Sequence, residues 1–394
     1  MENHYVLTRE RLLFDLYIAF YDAKRFKSNK PYVKYYERNL EKNLKSLCDR
    51  LYDRTYSPGI SICFIIHYPK PREVYAADFE DRIVHHLYYN YTSIIYNRTF
   101  IADTYSCIVG RGTHYGVKRL QHHIRQESLN YTIPCFALKM DIKGYFMNIN
   151  RNILLDLCLS TLNKARNRKV CESSDLLWQD IVDFDFVLYL TKILVLYDPT
   201  KNCIRLGDEK EWECVPKSKL LSSSPIHCGL PIGNLTSQLF SNVNMNVFDQ
   251  FVKRILHCKH YGRYVDDFYF VSCDRQWLTS IIPVVTDFLH SQLGLEINQG
   301  KTIITSVNNG VEFLGAYVKP WRTYISNKTL QRMIKGMNTL TDTTAERQRS
   351  SLNSYCGVLR HHASMKQRYD VIVSHRDFFH HGCFNEDFTK FIPA

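Results

Sequence analysis

The N-terminal part of the chain has the spacing of hydrophobic residues that is typical of amphipathic helices. In residues 8–26 and 36–52, leucines and aromatic residues recur every three or four positions, and Thr8 is placed to cap the first of these helices. Residues 60–67 are instead a mostly apolar run, rich in isoleucine and followed by Pro69, a pattern that predicts a strand. The sequence therefore begins with helices that lead into a sheet.

Two later stretches predict strands that end in acidic residues. In residues 135–150, apolar residues alternate with others up to Asp141, which comes at the end of the predicted strand. In residues 261–271, aromatic and β-branched residues lie on both sides of Asp266 and Asp267. These two acids are therefore predicted at a tight connection between two strands.

Three carboxylates at strand ends indicate a site for divalent metal ions. Adjacent aspartates repel each other unless a cation compensates their charge, and carboxylate oxygens are ligands that suit Mg²⁺. An isolated pair would more simply be an exposed acidic turn, but the apolar flanks of Asp266 and Asp267 and the third acid, Asp141, favour the metal. An acid that closes one strand and two acids in a later hairpin are an arrangement that polymerases use for two-metal catalysis.

Composition limits the class of protein. A chain of 394 residues allows two or three domains, and 45% hydrophobic with 23% charged residues is ordinary for a globular protein. The sequence has no apolar run long enough for a membrane span and its N-terminus lacks a signal-peptide core, so we expect a cytoplasmic protein that does not bind membranes. The 13 cysteines include no C-x-x-C pair, and neither a zinc site nor a disulfide framework is expected.

The formal net charge of +12 is unevenly distributed along the chain. Most of it falls in residues 1–72 and 321–394, and the part between them is close to neutral. Basic ends suit a protein that holds a polyanion, although a merely soluble basic protein would have the same charge.

Six segments, in order along the chain, resemble the conserved motifs of reverse transcriptases. The segments are PKPREVYAADFEDRIVHH (69–86) and FIADTYSCIVGRGTHYGV (100–117) in the fingers, CFALKMDIKGYF (135–146) as palm motif A, YVDDF (264–268) as motif C, LGLEINQGKT (293–302) as motif D and VEFLGAYV (311–318) as the primer-grip motif E. Any one of them is a weak signal, but six in register are a strong one.

The segment GLPIGNLTSQLFSN at 229–242 indicates which group of reverse transcriptases the chain resembles most. Most reverse transcriptases have a glutamine where this chain has Ile232 and a proline where it has Gln238. This variant is similar to the reverse transcriptases of diversity-generating retroelements, as are DPT at 198–200 and PKSKL at 216–220.

The resemblance implies an α+β fold of the right-hand polymerase type. Helical fingers, partly interleaved with the palm, are expected in residues 1–130, a palm with an antiparallel sheet in 131–320, and a thumb of about three helices in 321–394. Residues 161–227 form a long stretch between motifs A and B in which no helix or strand is predicted.

The resemblance also implies a function, an RNA-directed DNA polymerase that makes error-prone cDNA from a template-repeat RNA, with errors opposite adenines. The cDNA then rewrites a variable region of a target gene (mutagenic retrohoming). Template RNA, the cDNA primer and product, dNTPs and a small basic accessory protein are the implied partners, in a bacterial or phage-encoded system. A retron-like, group II intron-like or phage-defence enzyme and an inactive nucleic-acid-binding subunit are the alternatives, and the full set of carboxylates argues against the last.

Metal and catalytic roles carry over from the family by position. Asp141, Asp266 and Asp267 match the carboxylates that hold two Mg²⁺ ions, with Mn²⁺ as the alternative metal and the Ile142 carbonyl as a further ligand. Lys301 matches the motif D lysine proposed to protonate pyrophosphate, although most lysines are simply surface residues.

Substrate-binding roles carry over in the same way. Phe146 matches the aromatic residue that lies under the sugar and excludes a 2′-hydroxyl, with Tyr145 as the alternative. Arg72 matches the arginine that holds the triphosphate, because a planar guanidinium suits that task, and Lys70 is a weaker candidate. The residues expected beside the nascent base pair are Ile232, Gly233 and Gln238.

Overall fold

The structure, a computed structural model, describes residues 5–67, 70–173, 175–340, 343–375 and 381–393. The chain packs as two units, each assembled from separate stretches of sequence. The first unit comprises Met1–Cys107, Ile142–His257 and Val285–Ile297, and the second comprises Ile108–Asp141, Cys258–Val284 and Asn298–Ala394. The expected borders of fingers, palm and thumb concern a different division, and they stay a prediction.

Helices make up most of the regular structure. They are α1 (Arg9–Lys24), α2 (Pro31–Glu37), α3 (Leu40–Tyr52), α4 (Phe79–Thr99), α5 (Thr113–Glu127), α6 (Tyr145–Asn148), α7 (Arg151–Ala165), α8 (Phe184–Leu196), α9 (Glu209–Glu213), α10 (Leu235–Arg254), α11 (Arg275–Leu293), α12 (Asn327–Asn338), α13 (Ala345–His362) and α14 (Met365–Val373).

The strands are shorter and form four small sheets in the described ranges. They are β1 (Ser61–Ile66), β2 (Arg72–Ala76), β3 (Phe136–Asp141), β4 (Cys203–Arg205), β5 (Tyr261–Tyr264), β6 (Asp267–Ser272), β7 (Ile303–Ser306), β8 (Val311–Phe313), β9 (Ala316–Lys319), β10 (Arg322–Ile325), β11 (Gly382–Phe384) and β12 (Phe391–Pro393).

The N-terminal helices follow the predicted pattern with one difference. The hydroxyl of Thr8 accepts a hydrogen bond from the backbone N–H of Arg11 at 3.2 Å, so Thr8 is the expected cap of α1. The helix predicted at 36–52 begins only at Leu40, because Asn39, with φ of −124° and ψ of 39°, separates α3 from α2.

Aromatic side chains dominate the core of the first unit. Tyr88 and Tyr96 of α4 share a hydrogen bond between their hydroxyl groups at 3.1 Å, and the ring of Phe240 from α10 lies 5.6 Å from that of Tyr88. The indole nitrogen of Trp178, which is fully buried, donates to the carbonyl oxygen of Tyr91 at 3.0 Å. Aromatic rings bury large areas, so their packing supplies much of the stability of this core.

A three-stranded sheet of order β2–β1–β4 completes the first unit. The strand predicted at 60–67 is confirmed as β1, which runs antiparallel to β2 and parallel to β4. β4 lies in residues 161–227, where the sequence analysis predicted no helix or strand. A strand of three residues is too short to show a period, so only its pairing with β1 defines it.

The second unit contains a four-stranded antiparallel sheet of order β5–β6–β3–β7. An antiparallel sheet with Asp141 at the end of its strand is what the sequence predicted. Leu138 and Met140 of β3 are buried as expected, but Ala137 on the opposite face is buried as well. Both faces of the sheet are therefore covered.

The C-terminal part of the second unit combines a second sheet with helices. The strands β10, β9 and β8 form an antiparallel sheet, and α12, α13 and α14 enclose an apolar cluster that includes Met333, Met337, Leu352 and Leu359. Helices were expected here, whereas β10 and the β11–β12 hairpin were not. Across the described ranges, no helix is long and apolar enough to cross a membrane.

Candidate active site

Strand register brings the three predicted metal-binding carboxylates to one end of the four-stranded sheet. Asp141, the last residue of β3, pairs directly with Asp267, the first residue of β6. Tyr264 of β5 also pairs with Asp267, so the hairpin between β5 and β6 has a two-residue loop that contains Asp266. The predicted tight connection between two strands is confirmed.

The backbone of this hairpin loop is strained. Val265, which precedes Asp266, has a φ of 58°, a left-handed conformation that is a genuine outlier for a β-branched residue. Arg263 is fully buried and donates from Nη1 to the carbonyl oxygen of Val265 at 2.9 Å. Strain of this kind persists where the surroundings hold the backbone in place, and it is concentrated at functional sites.

Burial and mutual repulsion make the adjacent aspartates weaker acids than usual. Burial raises the pKa of Asp266 to about 6, and the nearby charges of Asp141 and Asp267 add to the effect. Burial also raises the pKa of Asp267 to about 6, although Lys139, whose Nζ lies 3.5 Å from Oδ1 of Asp267, opposes the shift. The pair therefore carries negative charge that the protein alone compensates only in part.

Two lysines supply positive charge at the site. Nζ of Lys301 lies 2.6 Å from Oδ2 of Asp141, so the structure brings this predicted catalytic residue to the carboxylates. Asn298 holds the same segment, because its backbone N–H donates to the carbonyl oxygen of Asp141 at 2.8 Å. The sequence analysis missed Lys139, although the alternation of β3 puts it on the same face as Asp141 and so gave a signal for it.

The three aspartates have the carboxylate chemistry that binds a divalent cation, but their side chains are not arranged around a common metal position. In the part of the chain that the structure describes, no three His, Cys, Asp or Glu side chains stand in the geometry of a metal site. However, Oδ1 of Asp267 is shielded from solvent and accepts no hydrogen bond from a described residue. The ammonium group of Lys139, 3.5 Å from this oxygen, offsets its charge only in part, and carboxylate oxygens are ligands that suit hard divalent ions.

Three of the predicted substrate-binding residues come together in the first unit. Phe146 and Ile232 pack against the same apolar cluster, which contains Tyr75 of β2. The backbone N–H of Tyr75 donates to the carbonyl oxygen of Ile232 at 2.9 Å. Gly233 has a φ of 121°, and a Cβ atom there would lie 2.9 Å from the carbonyl oxygen of Tyr75, so only glycine fits this close approach to β2.

The structure separates the two candidates for the residue under the sugar. Tyr145 is buried, and its hydroxyl donates to the carbonyl oxygen of Ser241 at 2.7 Å. Phe146 is only half-buried, and its carbonyl oxygen accepts from the backbone N–H of Leu230 at 2.8 Å. Tyr145 is therefore engaged in the core of the first unit, whereas Phe146 is partly accessible.

The remaining predicted residues lie outside these contacts. Arg72 begins β2 opposite Ile66 and is exposed, as is Lys70. Gln238 is exposed on α10. Ile142 is buried and pairs with Ile297 through an isolated antiparallel bridge.

Glu73 is a buried carboxylate that the sequence analysis missed. It is 3% exposed, and it accepts hydrogen bonds from the backbone N–H of Leu221 at 2.5 Å and from the hydroxyl of Tyr75 at 3.2 Å. Burial raises its pKa. Glu73 thus ties the segment before Ile232 to β2, and a single acidic residue within a strand gave no signal of this role.

Comparisons with known proteins agree on one family. A family profile described as "Reverse transcriptase (RNA-dependent DNA polymerase)" matches residues 82–318, more than half of the chain. A search of curated protein sequences finds no significant match.

Several solved structures are similar in fold. Telomerase from Candida albicans, in complex with a fragment of telomeric RNA, gives a TM-score of 0.45 at 11% identity and covers 81% of this chain and 55% of its own. Apo telomerase from Candida tropicalis gives a TM-score of 0.47 at 10% identity and covers 84% of this chain and 63% of its own. The apo telomerase from Candida tropicalis that is truncated from the C-terminal domain gives a TM-score of 0.47 at 11% identity and covers 71% of this chain and 59% of its own. The chain thus spans less than two thirds of these proteins, and similarity at this level carries no argument about function.

Proposed function

Because the chain belongs to the reverse transcriptase (RNA-dependent DNA polymerase) family, we propose that it is the polymerase of a diversity-generating retroelement. Family membership and the mixture of helices with antiparallel sheets confirm the predicted α+β right-hand polymerase fold. The predicted enzyme class, an RNA-directed DNA polymerase, is that of the family. The template-repeat RNA, the errors opposite adenines, the accessory protein and the bacterial or phage origin belong to the proposal.

The observation that supports polymerase activity is the pairing of Asp141 with Asp267 beside the strained Asp266 loop. Asp141, Asp266 and Asp267 would hold the divalent ions that this family uses, with Mg²⁺ as the proposed metal, Mn²⁺ as its alternative and the Ile142 carbonyl as a further ligand. Such ions, when bound, activate a primer 3′-hydroxyl and neutralise charge on the departing pyrophosphate.

The protein's own residues prepare this site. Although burial raises the pKa of Asp266 and Asp267 to about 6, both are mostly ionised at neutral pH and their charge is only partly compensated, so cation binding relieves repulsion. Lys139 holds Asp267 in position at 3.5 Å. Lys301, now 2.6 Å from Asp141, has an exposed ammonium group that could turn to a leaving pyrophosphate and donate a proton to it.

Nucleotide selection is assigned to residues of the first unit. Phe146 would lie under the sugar and exclude a 2′-hydroxyl, and Arg72, with Lys70 as a weaker candidate, would hold the triphosphate. Ile232, Gly233 and Gln238 would border the nascent base pair. Ile232 supports the retroelement subtype, because an aliphatic side chain offers shape and apolar contact but no hydrogen bond.

The experiment that tests this function is the sequencing of cDNA made on one RNA by the wild-type chain and by Ile232→Gln. An aliphatic contact discriminates pairs of similar size by about 1–2 kcal/mol, far less than a well-placed polar contact. Weakened selection by itself raises errors opposite every template base, and the template RNA or the accessory protein is proposed to add the bias towards adenines. With the accessory protein present, we expect wild-type errors to be concentrated opposite template adenines, and Ile232→Gln to lower them while extension is largely kept. Gly357→Ala, in open space on α13, is the control.

The outcomes separate the alternatives. Errors spread evenly over the template bases would contradict the retroelement subtype and favour a retron-like, group II intron-like or phage-defence enzyme. An unchanged adenine error rate in Ile232→Gln would remove Ile232 from the mechanism and make Gln238 the next residue to test. If the wild-type chain makes no cDNA, the remaining interpretation is an inactive nucleic-acid-binding subunit.

A further inference from the structure

The loop after α5 holds an unusual backbone conformation. Leu129, Asn130 and Tyr131 have φ angles of 49°, 59° and 67°, so three consecutive residues with side chains occupy the left-handed region, each at a cost in free energy. Ser128, which is buried, fixes this conformation. Its hydroxyl oxygen accepts from the backbone N–H of Tyr131 at 2.9 Å, and its carbonyl oxygen accepts from the N–H of Ile133 at 3.2 Å. The loop is therefore held in one strained shape.

A second strained turn places Trp321 against this loop. Pro320 and Trp321 connect β9 to β10, where Lys319 pairs with Arg322. Trp321 has a φ of 67°, at a turn position where a left-handed backbone usually requires glycine or asparagine. The ring centroids of Trp321 and Tyr131 are 4.6 Å apart. Two strained turns thus support one pair of aromatic side chains.

We propose that Leu129, Tyr131, Ile133 and Trp321, together called the Trp321 surface, dock an acidic protein segment with an apolar face. Trp321 is 71% exposed, Leu129 62% and Ile133 39%, so strain is retained in order to present apolar side chains to the outside. Rigid, exposed aromatic residues are the type that carries most of the binding free energy in protein interfaces, because fixing them costs little entropy.

Charge identifies the partner as acidic. Arg125, Lys319 and Arg322 border the Trp321 surface, and none of them forms an ion pair with a carboxylate within the described ranges. Instead, Arg125 donates to Oδ1 of Asn130 at 2.7 Å, and Lys319 and Arg322 lie over neighbouring tyrosine rings. Carboxylates on a partner would therefore meet uncompensated positive charge, whereas a basic protein or a second copy of this chain would bring like charges together.

Position favours a protein partner over the polymerase substrates. β3 begins at Phe136, five residues after Tyr131, and ends at Asp141. At a rise of about 3.4 Å per residue, the two ends of β3 are about 17 Å apart. The Trp321 surface thus lies at the far end of the catalytic strand from the carboxylates, away from the primer terminus that they would act on.

The test is selection from a random peptide display library on the full-length chain, followed by fluorescence anisotropy with the enriched peptides. We expect enriched sequences that combine Asp or Glu with Leu, Phe or Trp. Their affinity should fall about tenfold or more in Trp321→Ala, since a buried aromatic anchor dominates such contacts, and also in Arg322→Glu. The matched control is Phe26→Ala, an exposed aromatic residue of the first unit, which should bind as the wild type does.

Folding and the other class of ligand are measured in parallel. Thermal unfolding and primer extension should match the wild type in all three variants, and Arg322→Glu alone decides the charge argument if Trp321→Ala does not fold. Enriched peptides that are basic, that bind Trp321→Ala as well as the wild type, or that do not emerge at all would overturn the proposal. A single-stranded RNA oligonucleotide whose affinity falls in both variants would assign the Trp321 surface to nucleic acid instead.

Discussion

At the scale of single residues, the chemistry of this protein is set by charge that the fold compensates only in part. Asp266 and Asp267 are adjacent in sequence, and the register adds Asp141 to them. Lys139 and Lys301 offset some of that charge, but Oδ1 of Asp267 accepts no hydrogen bond from a described residue. The site is therefore organised to gain free energy when a cation arrives.

Replacing both Asp266 and Asp267 with Ala should abolish primer extension, because the carboxylates proposed to hold the metal are removed. RNA binding should largely persist, since the basic ends of the chain supply a salt-dependent attraction to phosphates that does not depend on the site. Extension is measured on a labelled primer and binding by filter retention at two salt concentrations. Extension at the wild-type rate would remove these residues from catalysis.

The same carboxylates should make stability depend on pH. Because the folded-state pKa values of Asp266 and Asp267 are raised to about 6, their stabilising contribution is complete below the unfolded-state pKa and is lost as pH rises through about 6. Without divalent ions, the wild type should therefore lose stability relative to Asp266→Asn/Asp267→Asn between about pH 4 and pH 7, by up to about 3 kcal/mol for each carboxylate.

Thermal unfolding of both proteins across this pH range checks the prediction. Because a bound cation compensates the carboxylates, added Mg²⁺ should raise the unfolding temperature of the wild type more than that of the double Asn variant. If the unfolding temperatures of the two proteins change in parallel, with and without Mg²⁺, ionisation of Asp266 and Asp267 does not destabilise the folded state.

At the scale of elements, hydrogen bonds to the backbone hold short segments in place against each other. β2 is the main example, because Tyr75 donates to Ile232 and Glu73 accepts from Leu221. The loop before α10 thus takes its position from a strand far away in sequence. Residues proposed to select the nucleotide depend on this docking, since it brings Phe146 and Ile232 to one apolar cluster.

Gly233→Ala should disturb this docking. The new Cβ atom would lie 2.9 Å from both the carbonyl oxygen of Tyr75 and Cγ1 of Val74, so β2 or the loop must move, at a cost of about 1–3 kcal/mol. We expect a lower unfolding temperature and slower extension. In Gly357→Ala the new Cβ atom meets no atom within 4 Å, so neither the unfolding temperature nor the rate of extension should fall. Equal behaviour of the two variants would argue against a close approach of the loop to β2.

At the scale of the whole molecule, each unit is assembled from segments that are distant along the chain. The second unit takes β3 from Ile108–Asp141, the hairpin from Cys258–Val284 and β7 from Asn298–Ala394. The net charge of +12 is likewise concentrated at the two ends of the sequence, which suits contact with a polyanion. The borders expected for fingers, palm and thumb stay predictions, as does the accessory protein.

The family, the strand that ends at Asp141 and the hairpin around Asp266 and Asp267 could all be predicted from the order of residues along the chain. Alternation, turn residues and the six ordered motifs are local signals. They can be recognised in the sequence because each element has its own periodicity. The cap at Thr8 followed from a similarly local pattern, whereas the thumb-region helices were expected from the resemblance.

Which distant residues meet could not be predicted in this way, because it depends on how the chain folds. β4 is too short to show a period and is defined by its pairing with β1. The burial of Glu73, the core position of Tyr145 and the left-handed Val265 all depend on neighbours that come from other parts of the chain. The same holds for the contact of Tyr131 with Trp321. Such contacts form between surfaces brought together by folding, and no local pattern records them.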